Sequence, residues 1–296
     1  MYNLKIIYKY MIYILLLLII VFYLINILCK KRDNKILEKL SINNKYCCIY
    51  AYYEKNNLYK ENFIYFLKNG ILNNVDYYII INGNCSIPIP EEENITVYYR
   101  ENKGYDFGGY SYVINKLNSL SKEYNYYFFL NTSVCGPYLK NNSKDWIYYF
   151  LELFHENVKL VGTSINIFPL NRFSNYDITK IYNKNNPFTH IQSMFFCMDK
   201  EYFNYLINID FFNEDEVNNA PDIGYIIAYK EIGLSQYALI NNWNINCILS
   251  KYKDIDYRLI DKDINNTSRN GDPYYKNSYF GDDIDKYEVI FYKNNR

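Results

Sequence analysis

The stretch from Val97 to Leu139, VYYRENKGYDFGGYSYVINKLNSLSKEYNYYFFLNTSVCGPYL, limits the fold more than any other part of the chain. It opens with a short β-rich run and passes through Arg100-Glu101-Asn102-Lys103-Gly104-Tyr105-Asp106-Phe107-Gly108-Gly109. A segment with Tyr110, Val113, Ile114, Leu117 and Leu120 at helical spacing follows, then an aromatic run that empties into Asn131-Thr132-Ser133. The order is strand, polar loop, helix, strand, polar loop. Two such loops at the same end of neighbouring parallel strands form the crevice in which open α/β sheets bind ligands. The glycines predict close approach of backbone to a ligand. Asn102, Lys103 and Asp106 bring an amide, a cation and a carboxylate into the same turn. Asp106 has two compatible readings, a cap for the helix expected over Gly109–Ser121 and a group facing the ligand.

The flanking sequence repeats the alternation. Strands are expected at Cys47–Tyr53, Val75–Ile81, Thr96–Tyr99, Tyr126–Leu130, Lys159–Ile167 and Ile245–Leu249, with a strand-like end at Tyr287–Tyr292. Helices are expected at Leu58–Lys68, stopped by Gly70, at Asp145–Glu156, at Lys200–Ile207 behind an Asp199 cap, and from Ile223 through Glu231 to Ile240. This implies βαβ units, hence an α/β fold with a mostly parallel sheet and helices on both faces. Pro169–Phe188 reads as a long polar loop. His190–Met198 reads as a strand whose first residues face a pocket, with His190 and Gln192 on one side of it. His190 has two readings there, a hydrogen-bonding partner for a ligand hydroxyl or phosphate and a rim histidine satisfied by protein.

Half of the 296 residues are hydrophobic and 22% are charged, enough to bury a substantial core in one large domain. Lys+Arg and Asp+Glu balance at 32 each, so charge gives no reason to expect a nucleic-acid partner. The seven cysteines are scattered and form no CxxC, which argues against a disulfide framework and a zinc site. Only His155 and His190 are available for histidine-based metal chemistry, and His155 lies beside an apolar stripe as a structural residue. Neither GxGxxG nor GxxxxGK occurs. The 38 tyrosines, with abundant Asn, Ile and Lys, reflect an AT-rich coding bias more than function.

Met11–Leu28 is apolar apart from Asn26 and its tyrosines, has a length near the minimum for a membrane span, and is followed by Lys30-Lys31-Arg32. With no small-residue cleavage signature it reads as an uncleaved signal anchor, against the alternatives of a cleaved signal or a buried helix. The expected organisation is a tail over 1–10, a transmembrane anchor over 11–28, a stem over 29–45 and an α/β domain over 46–296. Counted strictly, flanking basic residues favour a cytoplasmic domain.

The pattern R-E-N-K-G-Y-D-F-G-G-Y, followed after a crossover helix by F-L-N-T-S-V-C-G-P, resembles the nucleotide-sugar half of GT-A glycosyltransferases, in particular the branch near rhamnan-synthesis protein F. The likeness extends more loosely from about Cys47 to the C-terminus. It implies a GT-A-like fold, a nucleotide-sugar donor and a glycan or glycoprotein acceptor, in a type II protein of a Golgi-type secretory compartment. It implies that Asn102 and Asp106 touch the donor and that Asn131-Thr132-Ser133 stands where the family carries Asp-x-Asp. Glu231 then falls in the acidic segment that supplies the catalytic base, and His190 and Gln192 on the acceptor or phosphate side. Because Asn131 and Ser133 bring no formal charge, dependence on a divalent cation is expected to be weak or absent. Arg100, Lys103 and helix N–H groups are then the nearest candidates to meet a diphosphate. The alternative reading is an inactive protein of the same fold that binds glycans or acts as a scaffold.

Overall fold

The computed structural model describes residues 46–141, 143–155, 157–169 and 187–294. The predicted anchor at Met11–Leu28, its stem and nearly all of the predicted 169–188 loop lie outside the described residues. Among the described residues no helix is long and apolar enough to cross a membrane.

The central sheet grows from runs that are apolar on both faces. Strand β1 (Tyr46–Tyr52) is buried at every residue, and β2 (Val75–Asn82) at every residue but Asp76. Continuous rather than alternating apolarity belongs to parallel strands covered on both sides. Between them runs α1 (Asn57–Asn69), capped by Asn56, whose side chain accepts the Tyr59 N–H. Next come β3 (Ile95–Arg100), α2 (Tyr105–Ser119), β4 (Tyr126–Asn131) and the two-residue β5 (Val134–Cys135). They are followed by α3 (Trp146–Leu151), β6 (Val158–Gly162), β7 (Ile165–Phe168), β8 (Phe188–Ile191), β9 (Phe195–Asp199) and α4 (Lys200–Asn208). After α5 (Glu214–Asn218) come α6 (Ile223–Tyr225), a π-helix over Ile226–Ile232 and α7 (Gly233–Ile240) in unbroken succession. Strand β10 (Asn244–Cys247), α8 (Lys286–Val289) and β11 (Tyr292–Lys293) end the described order.

The seven-stranded sheet has the order β10-β6-β9-β4-β1-β2-β3. Its neighbours are parallel except β9, which runs antiparallel between β4 and β6. Helices cover both faces, as the sequence predicts. On one, Tyr50 packs on Phe63 and Phe66 of α1 while Phe128 and Phe195 meet Trp146 and Phe150 of α3. On the other, Phe129 stacks on Phe196 at 4.6 Å and meets Tyr110 of α2, and Tyr127 stacks on Phe203 of α4 at 3.7 Å. Adjacent residues of β4 thus serve opposite faces, the period-two geometry of a strand. Many of the tyrosines are core residues: Tyr46, Tyr50, Tyr52, Tyr77, Tyr78, Tyr110 and Tyr127 are all essentially inaccessible.

Three expected elements change. The strand expected over Lys159–Ile167 breaks after Gly162, where a β-carbon would meet Ile191 Cγ2 at 2.2 Å, and the chain turns into a separate β7–β8 hairpin sheet. The strand expected over His190–Met198 divides into β8 and β9 for the same reason, with Gln192 N–H and side chain tied to Ser164 across the gap. In the strand-like end at Tyr287–Tyr292, Tyr287–Val289 belong to α8, where Asp285 caps the turn by accepting the Tyr287 N–H, and strand geometry returns only at Tyr292.

Candidate ligand cleft at the switch point of the sheet

Strand order reverses between β1 and β4, where Ala51 stands opposite Asn131. Helices leaving adjacent strands in opposite directions open a crevice at the carboxyl edge of such a sheet. A cleft of about 480 Å³ lies here, bordered by Ala51, Asn82, Asn102, Asp106 and Asn131-Thr132-Ser133. That volume falls within the roughly 300–1,000 Å³ of small-molecule sites.

The β4 side is built from Asn131. Its Nδ2 donates to Asp106 Oδ2 at 2.7 Å, and its Oδ1 accepts both the Ser133 N–H (3.0 Å) and the Ser133 hydroxyl (2.5 Å). The amide oxygen is therefore saturated by its own turn. Asp106 sits inside the first turn of α2, not ahead of it, since the helix begins four residues before the expected Gly109. Gly104 (φ 68°) and Tyr105 (φ 56°) are both left-handed and swing the chain into that early start. A left-handed tyrosine is unusual and costs energy, and here it leaves Tyr105 45% exposed on the cleft wall. The expected cap takes another form: the N-cap position, Gly104, has no side chain to bond the helix, and Asp106 Oδ1 accepts the first-turn Phe107 N–H at 3.1 Å from inside it. Burial, helped by the nearby Glu231 carboxylate, pushes the Asp106 carboxyl up to about 6, against the lowering effect of the Asn131 amide.

The glycines serve packing rather than ligand approach. A β-carbon on Gly108 would lie 2.1 Å from Lys103 O, and one on Gly109 3.0 Å from Ile80 Cγ2. The turn they compress is braced by Arg100, whose guanidinium donates to Asn82 Oδ1, Lys103 O and Asn218 Oδ1 at 2.6–2.9 Å. Arg100 is thus a structural clamp behind the cleft. Lys103 extends outward and pairs with Glu101 at 2.7 Å, both side chains mostly exposed.

The opposite wall comes from the loop after β1, which the sequence reading passed over. Glu54 fixes it by accepting from Tyr52 Oη (2.8 Å), Ser86 N–H (2.7 Å) and Ser86 Oγ (2.7 Å). These donors, the Ser86 N–H first, hold its carboxyl below the usual range. Tyr53, 41% exposed, and Lys55 then line the cleft with Tyr59, while Ile223 closes it from the start of the long helical run.

Glu231 arrives from that same run, on the π-helix. The wider turn is held by Lys230, buried, which donates to Phe211 O (2.7 Å) and pairs with Glu216 (3.0 Å). Single π-turns in helices recur at functional positions. Glu231 Oε1 accepts the Ser193 N–H at 3.2 Å, while the neighbouring Met194 carbonyl accepts the Asn131 N–H at 3.2 Å. The β8–β9 turn therefore links Glu231 to the end of β4. His190 and Gln192 lie beneath this turn at 1% and 3% exposure. His190 Nδ1 is bonded to Phe188 O at 2.7 Å, and Gln192 Oε1 accepts from Ser164 Oγ at 2.6 Å.

Lys293 is the main addition to the residues named from sequence. It lies on β11 opposite Val134, the residue after Ser133. Burial lowers its ammonium from the ordinary lysine value, and the charges of Glu231 and Asp106 resist that fall. Asp106, Asn131 and Ser133 thus line the cleft, with Glu231 linked to it through the Ser193–Met194 turn, whereas Arg100, Lys103, His190 and Gln192 are engaged elsewhere. No local signal could have found Lys293, because a two-residue strand paired across some 160 residues has no periodicity to read. Among the described residues no group of three His, Cys, Asp or Glu side chains is placed to hold a metal ion. With Asn131 Oδ1 saturated by Ser133, the loop is a poor fit for a divalent cation.

No family model matches the chain, and no curated protein matches it. Among solved structures it is similar to a glycosyltransferase involved in the glycosylation of the major capsid of PBCV-1, at 13% identity and a TM-score of 0.33, over 62% of this chain and 75% of that one.

Proposed function

We propose that the chain is a glycosyltransferase that moves a sugar from a nucleotide-sugar donor to a hydroxyl of a glycan or glycoprotein. The observation that carries this reading is the bonded pair Asp106–Asn131 lining a cleft at the switch point of a mostly parallel sheet, with Glu231 tied by Ser193 to the turn whose Met194 carbonyl holds the end of β4. The GT-A-like sequence pattern around Asp106 and Asn131 points the same way. In the reaction, the acceptor oxygen forms a bond to the anomeric carbon as the bond from that carbon to the donor diphosphate breaks. The electron pair of the broken bond leaves on the diphosphate, and the acceptor proton passes to Glu231 as general base. Tyr53 and Tyr105 offer exposed ring faces for base or sugar, and Asn102 and Asp106 offer hydrogen bonds to ribose. Membership in the rhamnan-synthesis branch, and anchoring through Met11–Leu28 with the domain on the secretory side, belong to this reading.

A second reading, a glycan-binding or scaffold protein without turnover, is favoured by one feature, the neutral and self-bonded Asn131-Thr132-Ser133 loop. Incubating the purified chain with a panel of nucleotide sugars separates the two. Slow release of nucleoside diphosphate, accelerated by an acceptor, is the expected result, and silence across the panel would favour the binder.

A further inference from the structure

We infer that Lys55 gives the cleft its preference for a phosphorylated ligand, its ammonium meeting the diphosphate of the donor and offsetting the charge that develops there as the sugar leaves. The inference rests on the nucleotide-sugar reading of the cleft, and it adds a residue and a charge source to it. Lys55 lines the cleft from the loop after β1, and of the described residues that border the cleft it is the one cation. Its loop is bonded to the centre of the Asn131-Thr132-Ser133 turn. The Tyr53 N–H donates to Thr132 Oγ1 (3.4 Å), and Thr132 Oγ1 donates to Tyr53 O (3.3 Å). The Lys55 N–H then closes the corner by donating to the same Tyr53 O at 2.9 Å. Lys55 therefore follows by two residues the point where the loops after β1 and β4 are clasped, and its side chain is exposed. A flexible four-carbon stem carries its ammonium into the space between them.

The charges around Lys55 are committed elsewhere. Glu54, its neighbour in sequence, is taken up by Tyr52 Oη, the Ser86 N–H and Ser86 Oγ, and Lys60 Nζ donates to that same Ser86 Oγ at 2.7 Å. Asp106, the one carboxylate among the lining residues, is held by the Asn131 amide and the Phe107 N–H. Lys55 forms no ion pair among the described residues. The cations named from sequence are drawn off, Arg100 to Asn82, Lys103 O and Asn218, and Lys103 to Glu101. An ammonium with no carboxylate to satisfy keeps its protons for an anionic ligand, and a charge-assisted bond to phosphate is among the stronger hydrogen bonds. Lys55 stays protonated throughout and acts only as a fixed charge, which supplies the neutralisation that the self-bonded Asn131 loop does not offer through a metal.

The test uses the full-length chain in EDTA, with UDP, GDP, CDP and dTDP and their parent nucleosides as probes in equilibrium dialysis. Wild-type protein should bind at least one diphosphate more tightly than its nucleoside without metal. Lys55→Met should weaken that diphosphate about 10- to 100-fold while leaving the nucleoside unchanged, Lys55→Arg should retain most of the preference, and Lys103→Met should not remove it. Unchanged diphosphate affinity in Lys55→Met would overturn the proposal, and so would an equal loss in Lys103→Met, which marks a diffuse field and not a contact. A wild-type preference that vanishes in EDTA and returns with Mn²⁺ would overturn it as well, by assigning the neutralisation to a metal. Wild-type protein that binds a nucleoside as tightly as its diphosphate defeats this inference and leaves the nucleotide reading standing. If it binds neither, the nucleotide-sugar reading itself fails and the inference falls with it.

Discussion

Asp106 and Glu231 carry opposite demands in the proposed reaction. A general base must be ionised and reach the acceptor, and Glu231, the residue proposed for that role, accepts a single N–H from Ser193. Glu231→Gln keeps that bond and the side-chain shape but removes the basicity. Turnover should fall about 10²- to 10⁴-fold with donor affinity retained, as read by steady-state kinetics beside a binding titration. Normal turnover in this variant would pass the role to another acid, Asp222 being next in line on the chain. Asp106 instead has its proton held by burial up to about pH 6, against an ordinary value of 3.8. The folded state then binds more protons than the unfolded one between those values, so stability should fall as pH rises from about 4 to 6 and level off above. The groups facing this carboxyl are Asn131, Glu231 and Lys293. Asp106→Asn can still accept from Asn131, and it should abolish that slope and stabilise the protein at pH 7.5 by up to about 2–3 kcal/mol. Denaturant titrations at pH 4 to 8 measure both effects, and parallel curves for variant and wild type would contradict the assignment.

Elements place these residues through backbone geometry that no side-chain pattern encodes. The helical spacing of Tyr110, Val113, Ile114 and Leu117 predicts the α2 face correctly, and all four are buried. Its first turn was not legible, because the start is set by two left-handed residues and by Arg100 bracing Lys103 O. The glycine substitutions test this directly. Gly108→Ala would drive a β-carbon to 2.1 Å from Lys103 O and should cost about 1–3 kcal/mol. Gly233→Ala, at right-handed helical angles with its nearest neighbour 3.7 Å away, should gain about 0.4–1 kcal/mol. Thermal melts of the two variants should shift in opposite directions. A neutral Gly108→Ala would mean that the Arg100 to Gly109 turn yields easily and does not define the cleft. The π-helix was equally hidden: Ile223–Glu231 predicts a helix, but only the buried Lys230 contacts show where its turn widens.

At the scale of the molecule, residues 45–296 group as one compact unit, and the proposed anchor precedes it in sequence. If Met11–Leu28 spans a bilayer, the full chain should stay in the membrane pellet after alkaline carbonate, and removing residues 1–44 should release a folded, soluble domain. Full extraction of the intact chain by carbonate would end that reading. The sequence by itself determined the fold class: largely apolar runs at Cys47–Tyr53, Val75–Ile81 and Tyr126–Leu130, separated by helical spacing, leave few options but a mostly parallel sheet covered on both faces. It also marked Asp106 and Asn131, because polar residues at strand ends and helix starts fall at the carboxyl edge of such a sheet whatever the details, whereas Glu231 was named by the GT-A resemblance alone. Tertiary structure alone decided which cations reach that edge. Arg100 and Lys103 sit beside Asp106 in sequence yet are drawn off by Asn82, Asn218 and Glu101, whereas Lys55 lines the cleft from the loop after β1 and Lys293 is brought beside β5 from the far end of the chain. Side-chain direction and long-range pairing are settled by packing over the whole domain, and those are the quantities that a local pattern of residues does not contain.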